Sequence, residues 1–243
     1  MGHPRISSQK EALVSFKKSA ARLSFSRRVL EPESMEETAG DYASMDFVKS
    51  NTAFVKLMSP MIPKGSTVAD FGCGPGDITI MLAAMRPDLN VIGVDLSNPM
   101  IAIAKKNAKK AKTPVQWKIG NITRPIFKKG EIDFAFSHTT LHHLKDLTPF
   151  FRQMKLALRP GGGFCIRDLR RPRTAKEAMQ WIYEPTHDDI DIRQYELFFY
   201  SLRAALTLPE IKKVIRAANV KGKLEIPKTP KRYWVFSRKA TLQ

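Results

Sequence analysis

Residues 67–76, TVADFGCGPG, decide how this chain is read. Val68, Ala69 and Phe71 form a short apolar run that suits a buried strand, with an acid, Asp70, near its end. The strand then breaks into a glycine turn, where Gly72, Gly74 and Gly76 permit positive φ and let a ligand approach the backbone without meeting a Cβ. A helical segment opens at Asp77, DITIMLAAM, and a second apolar run, NVIGVD, ends at Asp95. Asp95 is placed to accept hydrogen bonds from two ribose hydroxyls. Strand, glycine turn and helix in this order bind a nucleotide-like ligand at the carboxyl end of a parallel sheet.

The details select the nucleotide. A dinucleotide fingerprint requires G-x-G-x-x-G behind an apolar strand end, whereas the spacing here is G-x-G-x-G behind Asp70. A carboxylate there repels a pyrophosphate and suits a cationic amino group. S-adenosylmethionine has such an amino group, a sulfonium and no phosphate. The run Asp70-Phe-Gly-Cys-Gly-Pro-Gly76 resembles the first motif of the class I S-adenosylmethionine-dependent methyltransferases, and Asp95 in VDLSNPM resembles their second. The resemblance covers about residues 46–238 and implies a Rossmann-like, doubly wound α/β fold. Its seven-stranded sheet would be mostly parallel, with a C-terminal antiparallel hairpin. It also implies S-adenosyl-L-methionine as cofactor, held by Asp70, Gly72, Cys73, Gly74 and Gly76 in the loop and by Asp95 and Leu96 after the second strand. Met100 would lie against the adenine, with Asn121, Ile122 and Ser137 completing the set. Where the family commonly has an aspartate accepting from the adenine amino group, this chain has Asn121, whose amide oxygen also accepts.

Composition sets bounds. The 243 residues suffice for one large α/β domain, and 43% hydrophobic with 26% charged residues is the balance of a globular protein. No apolar run approaches the roughly 18 residues of a membrane span. Cys73 and Cys165 have no C-x-x-C neighbours, which argues against a zinc site or disulfide framework and for a reducing compartment, the cytoplasm. The net charge of +18 is the unusual number, with Lys and Arg crowded into 5–28, 105–129 and 212–239. It fits RNA or another acidic partner, and equally a set of solvated helix faces.

Residues 1–45 read as a basic N-terminal helical extension and cofactor lid. Ser8-x-x-Glu11 resembles a capping box opening a helix to about Arg22. The acid-poor start also has the composition of an organelle transit segment. Myristoylation is disfavoured because Ile6 stands where Ser or Thr is wanted. Tyr42 is a candidate lid residue, and a helix from about Asp46 to Met58 leads into the domain of residues 46–243.

After Asp95, SNPMIAIAKKNAKKA is an amphipathic helix, Val115–Ile119 a third strand and Ile132–Ser137 a fourth. The fourth runs into HTTLHHL, close to the leader-helix pattern of small-molecule methyltransferases. Leu147–Leu158 is a further helix, and Arg159–Gly163 a turn feeding the strand FCIRD. Residues 169–206 form an aromatic insertion with Trp181, Tyr183, Tyr195, Phe198, Phe199 and Tyr200, either walls of an acceptor pocket or an ordinary helical core. Thr207–Glu210 caps another helix, and Lys223–Ile226 with Tyr233–Arg238 closes the chain as a hairpin.

Methyl transfer from a sulfonium is an in-line displacement that chiefly requires orientation of the nucleophile, with a base for amine cations and hydroxyls. His138 at the mouth of the fourth strand, His142 on the same helical face by the i,i+4 relation, and Asp168 at the end of the fifth strand are the candidates, with Tyr42 above them. Two histidines without a third ligand do not make a metal site. The sequence supports a methyltransferase for a small molecule, or one for RNA on account of the charge. SHTT in place of an N-P-P-Y-type tetrapeptide weighs against RNA. A binding protein that holds the cofactor without chemistry is a third reading, and a nicotinamide dehydrogenase a distant fourth.

Overall fold

A computed structural model describes residues 6–30, 47–182, 192–228 and 231–241. Tyr42 and Tyr183 lie outside the described residues. The sheet has seven strands in the order β3-β2-β1-β4-β5-β7-β6. They are β1 (Thr67–Phe71), β2 (Asn90–Asp95), β3 (Gln116–Ile119), β4 (Ile132–His138), β5 (Leu158–Leu169), β6 (Lys223–Glu225) and β7 (Tyr233–Arg238). The first five are mutually parallel, and β7 runs antiparallel between β5 and β6. The order reverses at β1, which puts the ends of β1, β2 and β4 side by side at one edge, the switch point where such sheets take ligands.

The buried strands read as nearly continuous apolar runs because both faces are covered. On one face α2 (Val48–Met58) and α3 (Asp77–Met85) bury Phe54, Val55, Met58, Ile78 and Leu82 against Val68, Val91, Phe134 and Phe136. Next along the chain is α4 (Asn98–Lys110), whose Ser97 cap accepts from the Met100 amide. The opposite face is closed by α5 (Thr148–Ala157) and, later in the chain, α8 (Leu208–Ala218), with Phe150, Phe151, Met154 and Ile211 packed on Phe71, Phe164 and Phe236. The capping box Thr207/Glu210 is formed, with the Thr207 amide donating to Glu210 Oε2 at 2.7 Å.

A third core lies beyond the sheet edge. It joins α1 (Ile6–Ala20) to α6 (Ala175–Ile182) and α7 (Ile192–Ala204). Phe16 meets Tyr195 and Phe199 edge-on at 5.8 and 5.4 Å, and Phe25 meets Phe199 at 5.4 Å. Trp181, Tyr195 and Phe199 are therefore a helical core that the N-terminal segment completes, rather than walls of an acceptor pocket.

Two local expectations are corrected. The first helix already begins at Ile6, so Ser8 lies inside it and no capping box opens there. The stretch from Arg159 to Gly163 belongs to β5 itself, with a register shift opposite Ile132/Phe134, rather than forming a separate turn. No helix among the described residues is long and apolar enough to cross a membrane.

Candidate active site

The glycine turn hangs from β2 by its backbone. The Gly72 and Cys73 amides both donate to the Val94 carbonyl, at 2.8 and 2.9 Å, and the Gly74 amide donates to Asp95 Oδ2 at 2.8 Å. Gly72, at φ +80, would place a Cβ 2.1 Å from Thr140 Cγ2, so one side of the turn is closed by the segment after β4. Gly74, at φ +52, has nothing within 4 Å of the same position. The turn is thus backed on one side and open on the other, as a ligand cradle must be.

An acid sits at each end of this opening. Asp70 is 3% exposed and its Oδ2 accepts from the Thr79 hydroxyl on α3, while Oδ1 has no hydrogen-bond partner among the described residues. Burial raises its carboxyl to about 7; the Thr79 bond opposes this and Asp95 adds to it. A cationic amino group is the partner such a carboxyl lacks. Asp95 accepts from the Gly74 and Ser97 amides, one per oxygen, so it shapes the turn and keeps lone pairs for hydroxyls. Beside it Leu96 is 65% exposed, an apolar platform at the edge, and Met100 is half-buried one turn into α4.

The remaining predicted cofactor residues divide. Asn121 is exposed, but its Oδ1 accepts from both the amide and the hydroxyl of Thr123, at 2.9 and 2.7 Å, in a local turn. Asn121→Asp is expected to keep cofactor affinity within about tenfold, because a carboxylate accepts the same two bonds. Calorimetry on the folded variant checks this, and a complete loss of binding would assign Asn121 a different role. The side chains of Cys73 and Ile122 are buried. Ser137 is fully buried with its hydroxyl donating to the Phe71 carbonyl at 2.7 Å, so its side chain ties β4 to β1 and does not reach the opening.

After β4 the chain forms a single 3₁₀ turn, Leu141–His143, instead of continuing as a helix from His138. His138 ends β4 in extended conformation, so it and His142 do not share a helical face. His138 lies against Phe54 at 5.0 Å and Tyr233 at 5.7 Å, with Arg167 Nε 3.1 Å from its Nδ1. Burial and the Arg167 charge hold its pKa well below 6.5, so the imidazole is neutral. Asp168 is 1% exposed and faces inward, not into the cleft. Oδ2 accepts from the Thr140 and Leu141 amides, and Oδ1 from Leu169 and from His142 Nδ1 at 2.7 Å. Its role is to hold the turn and fix the His142 ring.

Arg28, from the N-terminal segment, braces this turn from outside. Nη2 donates to the carbonyls of His142 and Leu144 at 2.7 and 2.6 Å, Nη1 to Lys145 at 3.1 Å, and Nε to the Ala204 carbonyl. No sequence signal marks Arg28 within a run already rich in arginine. Arg167 had one: with Asp168 it is a charged residue inside the buried strand segment FCIRDL.

A doubly wound sheet with an open glycine turn between two acids defines a nucleotide-type binding domain. Residues 68–162 match the family model described as a methyltransferase domain. Over 156 residues the chain is 29% identical to phosphoethanolamine N-methyltransferase 1 of Arabidopsis thaliana, covering 63% of this chain and 31% of that enzyme. It is 28% identical over 132 residues to trans-aconitate 2-methyltransferase of Azoarcus sp., 54% of this chain and 50% of that one. The chain therefore spans a third to a half of the length of these relatives. Among solved structures, an S-adenosylmethionine-dependent methyltransferase from Aquifex aeolicus shares the fold with a TM-score of 0.62 at 16% identity, over 82% of this chain and 96% of that one. Phosphoethanolamine N-methyltransferase 2 of Haemonchus contortus, solved with S-adenosylhomocysteine, gives 0.55 at 24% identity, over 73% and 38%.

Proposed function

We propose that the protein transfers a methyl group from S-adenosylmethionine to a small-molecule acceptor. The observation that carries this reading is the open face of the turn at Gly74, set between the buried, half-satisfied Asp70 and Asp95. It suits a ligand with an ammonium at one end and a ribose at the other. Asp70 Oδ1 would receive the amino group, Asp95 the ribose hydroxyls, and Leu96 and Met100 would flank the adenine. The bound cofactor supplies an electrophilic methyl on a sulfonium, whose departure leaves a neutral thioether. The chain's own part is to orient: the turn held by Asp168 and Arg28 keeps Thr140 and His142 fixed at the edge where the acceptor would lie. Relatives named for small-molecule acceptors support the same reading. Residues 1–45 are read as an extension whose segment 6–30 docks on the insertion of 169–206, with Tyr42 as a lid candidate. The two buried free thiols, Cys73 and Cys165, support a cytoplasmic setting.

Gly74→Val is expected to abolish S-adenosylmethionine binding, because the added side chain fills the open space the ligand would take and, at φ +52, also strains the turn. A urea midpoint on the variant separates lost binding from lost fold. Calorimetry with S-adenosylmethionine and NAD tests both the variant and the assignment. Heat from NAD and none from S-adenosylmethionine would sink it.

The second reading, an RNA acceptor, is favoured by the exposed Lys105, Lys106, Lys109 and Lys110 on α4 and by Lys128 and Lys129. Phosphate contacts of this kind weaken by about 10³ or more between roughly 50 and 200 mM salt when six or more are engaged. Label transfer from radioactive S-adenosylmethionine into cell extract is expected to survive nuclease and that salt range. Transfer that vanishes under both would make RNA the acceptor.

A further inference from the structure

Strand β5 buries a cation that has no counter-charge among the described residues. Arg167 is 5% exposed, and its guanidinium lies 4.6 Å from the Phe54 ring centroid and 4.8 Å from that of Tyr233. Nη2 donates to the Ser50 carbonyl and hydroxyl at 2.8 and 3.2 Å, and the same nitrogen lies 2.9 Å from His138 Nε2. Every one of these partners is neutral. Among the described residues no carboxylate pairs with Arg167, and Nη1 has no hydrogen-bond partner. Arg171, also buried, shows the usual arrangement: it meets Glu210 at 2.6 Å. A second cation, Arg232, shares the Tyr233 ring at 5.4 Å. Burial brings the Arg167 guanidinium down to about 10, and Arg232 adds to the depression. An isolated buried charge such as that of Arg167 is costly unless an anion meets it in use.

Location gives this charge a use. Arg167 pairs with His138 across β4 and β5, at the strand end that leads through Thr139 into the Thr140 contact with Gly72. A group held there lies at the same carboxyl edge as the cofactor cradle. We propose that Arg167 is the anion-binding residue of the acceptor pocket, and that the acceptor carries a phosphate or a carboxylate. The planar guanidinium fork suits either group, with Nη1 as the free donor and the rings of Phe54 and Tyr233 fixing its plane. This inference rests on the methyltransferase reading, and the two fail separately.

The test is calorimetry on the full chain saturated with S-adenosylhomocysteine, at about 150 mM salt so that the lysine surface is screened. Inorganic phosphate, malonate and, as a cationic control, ethanolamine are titrated into the wild type, R167K and R167Q. At least one anion is expected to bind the wild type with millimolar affinity, at least tenfold more weakly to R167K, and not measurably to R167Q, with ethanolamine silent. Phosphate alone binding assigns a phosphoryl group, and malonate alone a carboxylate. Equal anion binding by all three proteins, or none by the wild type, overturns the proposal. Absence of S-adenosylhomocysteine binding by the wild type sinks the methyltransferase reading instead. Should the variants melt early, the Arg167 Nε–H resonance of the wild type is followed by ¹⁵N NMR. It is expected to shift on addition of the bound anion, and an unmoved resonance overturns the assignment.

Discussion

Replacing Asp70 with asparagine is expected to make the protein harder to unfold at pH 8 and to weaken its hold on S-adenosylmethionine. The carboxyl is buried and sits at about 7 instead of 3.8. Because the folded state holds its proton more tightly than the unfolded state, its contribution to stability is fully present below about pH 4. It is lost as pH rises towards 7. Above that, a charged, buried carboxylate with one Thr79 bond costs on the order of 2–4 kcal/mol, at about 1.4 kcal/mol for each pKa unit. Asparagine keeps an oxygen for Thr79 and carries no charge. Urea unfolding of both proteins at pH 4 and pH 8 should therefore show nearly equal stabilities at the lower pH and a gain of that size for the variant at the higher. Cofactor affinity should fall by about a hundredfold, the worth of a charge-assisted bond to a buried acid. Parallel stability curves for the two proteins, or undiminished binding by the variant, would remove Asp70 from the site.

Asp168→Ala should produce the largest loss of stability, about 3–5 kcal/mol. The side chain accepts from three backbone amides and from His142, and each donor left buried without a partner costs about 1–3 kcal/mol. Untying Thr140 and Leu141 also frees the segment that backs Gly72. Label transfer should drop more than a hundredfold even at temperatures where the variant stays folded. The measurement is a urea midpoint with activity at matched folded fraction. A destabilisation under about 1 kcal/mol would mean that another acceptor replaces Asp168.

The core of this fold is legible from local chemistry. Continuous apolar runs ending at Asp70, Asp95 and Ser137 mark parallel strands buried on both faces. The glycines between Phe71 and Asp77 mark the cradle, because only a particular backbone shape needs them. The roles of His138, Ser137 and Asp168 were not legible in this way. A polar residue at a strand end reads as pointing into the cleft, and only the tertiary structure shows that Ser137 ties two strands together. It likewise shows that Asp168 spends its lone pairs on the turn below and that Arg167 occupies His138. The aromatics of 169–206 were ambiguous for a related reason. Whether Tyr195 and Phe199 line a pocket or fill a core depends on what covers them, and Phe16 and Phe25 arrive from about 180 residues earlier in the chain.

That long return has a consequence for synthesis. Val29 donates to the Arg203 carbonyl and Arg28 to that of Ala204, so a segment made well before α7 has its docking surface there. A nascent chain on a ribosome holds an unsatisfied basic arm until roughly residue 204 has emerged, at translation speeds of about 5–20 residues per second. Only then can Arg28 bridge α7 to the turn after β4, so that turn is braced late, shortly before α8, β6 and β7 emerge. Trimming residues up to and including Arg28 from a recombinant protein would remove this late brace rather than a dispensable tail.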